Sequence, residues 1–126
     1  MSQILIVGGD PTIMGDFVRV LSQKNGNRIS WTYSAREALA IMDREKIDTV
    51  VVDENLVKVD GIDLVGEIMK AHPMVNCAVI SSLPVAEFHE ATEGLGVFMQ
   101  LPPQPGAQHA EKMLQLLETI EVLMKM

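Results

Sequence analysis

The stretch Gln3-Ile4-Leu5-Ile6-Val7-Gly8-Gly9-Asp10-Pro11 decides the fold. Four adjacent apolar residues, with no polar residue alternating among them, predict a strand over 3–7 buried on both faces, as in a parallel sheet covered by helices. Gly8-Gly9 ends it, and Asp10 before Pro11 reads as a helix cap with proline at the first helical position. Ile13, Met14, Phe17, Val18 and Leu21 then recur at helical spacing, predicting a helix that stops near Asn25-Gly26.

The same unit repeats along the chain. Arg28 to Tyr33 alternates Ile29, Trp31 and Tyr33 with Ser30 and Thr32, the pattern of an edge strand. Ser34 with Glu37 three residues later predicts a capping box opening a helix whose Ala38, Leu39, Ile41 and Met42 face inward and which ends before Asp48. Thr49 to Val52 is a β-branched run ending at Asp53, and Ile62, Leu64, Val65, Ile68 and Met69 stripe the helix after it, closed by His72-Pro73. Cys77 to Ile80 is a fourth strand, Pro84 opens a short helix to about Ala91, and 96–100 is a fifth strand. A final helix over 108–125 sets Met113, Leu114, Leu116, Leu117, Ile120, Leu123 and Met124 opposite Glu111, Lys112, Glu118 and Glu121. Five strands alternating with five helices through short connections imply a doubly wound α/β sheet.

Composition sets the outer bounds. With 126 residues, 48% of them apolar and 21% charged, the chain is expected to be one globular domain over 1–126 with a single core. Ten basic against seventeen acidic residues give a net charge of −7, which disfavours direct binding to nucleic acid or to anionic membrane. Cys77 is the only cysteine, so no internal disulfide forms, and no leader or membrane-length apolar run is visible. The expected location is the cytoplasm. Cys77 reads as a packing residue, and His72, His89 and His109 lack companions at metal-ligand spacing. Met42, Met69, Met113 and Met124 fall on inward helical faces; Met99, Met124 and Met126 are alternatively part of an adaptable partner surface.

Ligands meet such sheets at the strands' carboxyl ends, where Gly8, Gly9 and Asp10, then Asp53, then Ser81 and Ser82, then Leu101-Pro102 are expected. In that order ILIVGGDP, VVVDENLVKVDG, AVISS and VFMQLPP resemble the receiver domain of two-component response regulators over essentially the whole chain. The resemblance implies a flavodoxin-like (βα)5 fold with strand order 2-1-3-4-5. It implies Asp53 as phosphoacceptor, Asn55 as the residue whose backbone carbonyl helps bind magnesium, Asp60-Gly61 as the loop ending, Ser81 as the switch hydroxyl and Phe98 as the aromatic switch. A partner face of the last two helices and the fifth strand, with Glu87, Phe88, Phe98, Gln100, Glu111 and Gln115, is implied for a histidine kinase, a downstream target or a second copy. A cis Leu101–Pro102 bond is expected on the same ground.

Several family features are replaced. Gly8-Gly9 stands for the acid pair that binds magnesium, Leu101 for the lysine and Val57 for the loop proline. An aspartyl phosphate crowds negative oxygens together, and two unit charges ~4 Å apart interact by ~4 kcal/mol at an effective dielectric near 20. Magnesium or a lysine normally offsets this, and a lone Asp53 holds magnesium only weakly. A register shift of one residue would make Gly9-Asp10 the pair and Asp10 a metal ligand; read in step, Asp10 is a helix cap. The leading expectation is therefore an atypical receiver that is not an enzyme and acts through protein contacts, with no cofactor or weak magnesium. The alternatives are phosphoryl acceptance on Asp53 from a histidine kinase, with Asp53 itself as the nucleophile, and a small-anion sensor using the Gly8-Gly9 turn.

Overall fold

The computed structural model describes residues 2–24 and 26–126. Its elements follow one another as β1 (Gln3–Val7), α1 (Gly15–Gln23), β2 (Arg28–Thr32), α2 (Ala35–Arg44), β3 (Thr49–Asp53), α3 (Gly61–Ala71), β4 (Asn76–Ile80), α4 (Val85–Ala91), β5 (Val97–Leu101) and α5 (Ala107–Met124). The strands form one parallel sheet in the order β2-β1-β3-β4-β5, as expected from the sequence.

The unbroken apolar runs are explained by two cores, one on each side of the sheet. Along β1, Ile4 and Ile6 face Phe17 and Leu21 of α1 and Ala110 and Met113 of α5. Leu5 and Val7 face the opposite layer, with Ala38 and Ile41 of α2, Leu64, Val65 and Ile68 of α3 and Phe88 of α4. Strands β3 and β4 divide in the same way, Val51 and Ala78 to the first layer and Val50, Val52, Cys77 and Val79 to the second. Strand alternation makes every one of these positions a core position. Burying a side chain of this kind contributes ~1.5–3 kcal/mol.

Several caps and boundaries differ from expectation for local reasons. Asp10 caps a single turn instead of α1: its Oδ1 accepts from Thr12 N–H at 2.9 Å and Thr12 Oγ1 at 2.7 Å, and its carbonyl accepts from Ile13 and Met14 N–H. The helix proper begins at Gly15 and ends at Gln23; Asn25, where its stop was expected, lies outside the described residues. Only half of the Ser34 capping box forms. Ser34 Oγ accepts from Glu37 N–H at 3.2 Å, but Ser34 N–H donates to Thr32 Oγ1. Strand β5 sits one residue later than expected, since Ser81 N–H donates to the carbonyl of Leu101 and carries the ladder to that residue.

Met124 and Leu123 are 65% and 62% exposed, where an inward face was expected. Eighteen residues of α5 span ~27 Å, against ~17 Å for a five-residue strand, so the last turn outruns the sheet that would cover it. The Leu101–Pro102 bond is trans, correcting the cis expectation; trans is the favoured X–Pro isomer by ~0.5–1 kcal/mol.

Candidate functional site

At the carboxyl edge of the sheet Val7 pairs with Val52, Asp53 with Ile80 and Ile80 with Leu101, so the loops after β1, β3, β4 and β5 begin side by side. Asp53, half-buried, ends β3. Its Oδ1 accepts from Asn55 N–H at 2.9 Å, closing an Asx turn. Asn55 then bridges to Asp60, Asp60 Oδ1 caps α3 by accepting from Ile62 N–H at 2.8 Å, and Gly61 N–H returns to the carbonyl of Glu54. The loop that carries Asp53 is thus closed on itself by short bonds.

Gly8 and Gly9 have φ of +84° and +81°, which an L side chain enters only with strain. At each, a Cβ would also have to displace a neighbouring side chain. A Cβ on Gly8 would stand 2.6 Å from Leu56 Cδ2 and 3.0 Å from Asp53 Cβ, and one on Gly9 would stand 2.7 Å from Met14 Sδ. Gly8 is tied on both sides, its N–H donating to the carbonyl of Thr32 at 2.8 Å and its carbonyl accepting from Trp31 Nε1–H at 2.8 Å. Leu56, Met14 and Trp31 therefore stand over the end of β1. Leu101 is fully buried among Ile80, Met113 and their neighbours. Asp10 is exposed, and its bonds from the Thr12 hydroxyl and N–H hold its carboxyl below the ordinary value. Among the described residues no group of three or more His, Cys, Asp or Glu is placed to hold a metal ion.

Ser81 is buried, and its hydroxyl goes to Glu54: Ser81 Oγ donates to Glu54 Oε1 at 2.6 Å. Ser82 N–H and Oγ donate to Oε2 at 2.8 and 3.1 Å. Alternation explains the choice. Ser81 continues the face of Cys77 and Val79, Asp53 continues that of Val51, and these belong to opposite layers. Partial burial raises the pKa of the Glu54 carboxyl, but the bonds from Ser81 and Ser82 together outweigh it and hold the group below its ordinary value. Sequence reasoning missed Glu54. The register of β3 and β4, which the sequence does not carry, places the residue after Asp53 beside the residue after Ile80.

Of the residues of the expected partner face, one is withdrawn into the core. Phe88 is 4% exposed and belongs to the core. Glu111 and Gln115 line a groove of about 590 Å³ shared with Arg19, Val20 and Gln23 of α1. Glu87 is exposed on α4, Phe98 is half-buried against the α1/α5 layer, and Gln100 Nε2 donates to the carbonyls of Leu83 at 2.8 Å and Ser81 at 3.3 Å. The histidines stand apart. His72 Nε2 lies 3.1 Å from Asp43 Oδ1, a carboxylate companion from α2 that sequence spacing did not reveal, and His109 Nδ1 accepts from Gly106 N–H at the start of α5.

The model of the response regulator receiver domain family matches residues 4–102. The chain belongs to this family. A regulatory protein VanRc of Enterococcus gallinarum is 32% identical over 72 residues, which are 57% of this chain and 31% of VanRc. The structure of NtrX from Brucella abortus superposes with a TM-score of 0.82 at 24% identity, covering 98% of this chain and 28% of that one. A CheY-like response regulator receiver domain protein from Methanospirillum hungatei JF-1 gives 0.79 at 19% identity, covering 96% and 98%. This receiver thus spans less than a third of VanRc and of NtrX. Receiver domains are signalling modules of two-component systems, generally not enzymes, and interact with histidine kinases and downstream effectors. No helix among the described residues is long and apolar enough to cross a membrane.

Proposed function

We propose that this receiver is an atypical one, which signals from the cytoplasm by contact with a kinase or effector and takes a phosphoryl group on Asp53 poorly or not at all. The observation that carries this reading is Gly8, where a side chain would be strained at φ +84° and its Cβ would have to push Leu56 Cδ2 aside and crowd Asp53 Cβ. An octahedral magnesium needs carboxylates at that edge as well as phosphate oxygens. Glycines stand at 8 and 9, Asp10 is turned to Thr12, and Asp53 Oδ1 is taken by Asn55 N–H. The residues present do not fit the ion. Leu101 supplies no charge to offset a phosphoryl group, and the Ser81 hydroxyl donates elsewhere. Contact with a second copy through α4, β5 and α5 belongs to the same reading, with Glu87, Phe98 and Gln100 as its reachable residues.

The test is incubation with a small phosphodonor and magnesium, or with beryllofluoride, followed by intact mass and fluorescence of Trp31. No stoichiometric adduct is expected. An adduct that forms in the native chain and disappears in Asp53→Asn would overturn the proposal. One observation favours the second reading, in which Asp53 is a phosphoacceptor. Its side chain is half-buried at the edge of the sheet, and among the described residues its only hydrogen bond is to Oδ1, leaving Oδ2 as a nucleophile. Magnesium dependence of adduct formation separates the two.

A further inference from the structure

Glu54 makes the only side-chain link, among the described residues, between the loop after β3 and the loop after β4, spanning 27 and 28 positions of sequence. Both carboxylate oxygens are used. Ser81 has one hydroxyl proton, and it is spent on Glu54 Oε1 at 2.6 Å, while Ser81 Oγ itself accepts from Leu83 N–H at 3.1 Å. Leu83 in turn offers its carbonyl to Gln100 Nε2 on β5, and Ser81 offers a second. Pro84 and Val85 follow at once, and Phe88, one turn into α4, is anchored in the core. A displacement of Ser81 and Ser82 is therefore carried to Leu83, just before the start of α4, and to the Gln100 amide that the β4–α4 loop shares with β5.

The backbone favours the same juxtaposition. Glu54 N–H donates to the carbonyl of Ile80 and Ser81 N–H to that of Leu101, both at 2.9 Å, so the ladder runs one step past the ends of β3 and β4 and sets Glu54 beside Ser81. The carboxylate needs no long reach. Hydrogen bonds to a charged acceptor are stronger than neutral ones, and Ser81 is 3% exposed, which lessens competition from water.

We propose that Glu54 sets the position of the β4–α4 loop: its carboxylate clamps Ser81 and Ser82 and, through Leu83 and Gln100, holds α4 and β5 in one arrangement with nothing added to Asp53. This deepens the reading above, because it names what fixes the contact side of an atypical receiver. Asp53 is a bystander to the clamp, bonded to Asn55 within its own loop. Glu54 is a positioning residue, and it acts through the serines.

The experiment is amide hydrogen exchange and side-chain amide NMR on the native chain, Glu54→Ala, Ser81→Ala and Asp53→Asn, all without phosphodonor or partner. Glu54→Ala is expected to speed exchange of the Ser82 N–H by roughly tenfold or more. It is also expected to move the Gln100 side-chain amide and the 85–91 backbone resonances. Ser81→Ala should move the same resonances in the same direction, and Asp53→Asn should leave them in place. Unchanged Ser82 exchange in Glu54→Ala overturns the clamp. Faster exchange with Gln100 and α4 unmoved reduces it to a local cap and overturns the coupling, as does an Asp53→Asn spectrum matching that of Glu54→Ala. Since no phosphoryl group enters this measurement, its failure is distinct from an adduct appearing on Asp53.

Discussion

Gly8→Ala adds one carbon where the family carries an acidic side chain, and its cost follows from two separate terms. At φ +84° a non-glycine residue carries backbone strain of ~1–3 kcal/mol. The new Cβ would lie 2.6 Å from Leu56 Cδ2 and 3.0 Å from Asp53 Cβ, well inside the ~3.5–4.0 Å at which carbons attract. Overpacking of this kind costs ~1–3 kcal/mol, so the variant is expected to lose about 2–6 kcal/mol. With a urea m-value of ~1–3 kcal/mol/M, the midpoint falls by on the order of 2 M. Far-UV circular dichroism is the appropriate probe, because Trp31 hydrogen-bonds Gly8 and its fluorescence reports the site as well as the fold. Leu56→Ala separates the terms. In its presence Gly8→Ala keeps the φ penalty and the contact with Asp53 Cβ but sheds the closer one with Leu56, so the double-mutant cycle should show ~1–3 kcal/mol of coupling. A Gly8→Ala variant within about 0.5 kcal/mol of the native chain, or strict additivity with Leu56→Ala, would show that the end of β1 is open and that an acid could stand there.

Three further outcomes are expected. Leu101→Lys puts an ammonium into a fully buried apolar position and should cost ~3 kcal/mol or more by urea unfolding, without restoring a mass adduct on Asp53. Glu54 titrates lower when folded than unfolded, so its contribution is complete above the unfolded carboxylate pKa and is lost as pH falls through the folded one. The urea midpoint should therefore decrease between about pH 6 and about pH 3, and Glu54→Gln should flatten that decrease. Burial pushes the Cys77 thiol up to about 12, so a disulfide reagent at about pH 8 should label it only after denaturation. Rapid labelling of the native chain would show that β4 opens.

The sheet was legible because its pattern is local. Ile4 to Val7 and Val50 to Val52 are apolar at every position, which only a strand covered on both faces requires, and the short connections leave few topologies. Helix ends were less legible, since Asp10, Thr32 and Ser34 each accept from a different nearby N–H, of Thr12, Ser34 and Glu37, and the outcome depends on which loop each one closes. The partner face was misread in part. Phe88 has the right element and the wrong azimuth, and a seven-residue helix such as α4 gives too few turns to fix one from sequence. Glu54 escaped because its role requires two strand ends to be in register, a tertiary fact that no periodicity carries.

Taken singly, Gly8, Gly9 and Leu101 read as ligands removed from a charged pocket. The geometry makes them parts of one replacement. Glycine at 8 leaves Leu56 and Asp53 room to close over the end of β1, glycine at 9 does the same for Met14, and leucine at 101 extends the α1/α5 layer to the sheet's edge. Each apolar neighbour then resists the return of the charge it displaced: an acid at 8 meets Leu56, and a lysine at 101 meets Ile80 and Met113. Reversal one residue at a time therefore costs stability before it regains chemistry. The one carboxylate at this edge with hydrogen bonds from a neighbouring strand's loop is Glu54, among the described residues. On the proposed reading, the arrangement of the β4–α4 loop follows Glu54 more closely than Asp53, which bonds only within its own loop among the described residues.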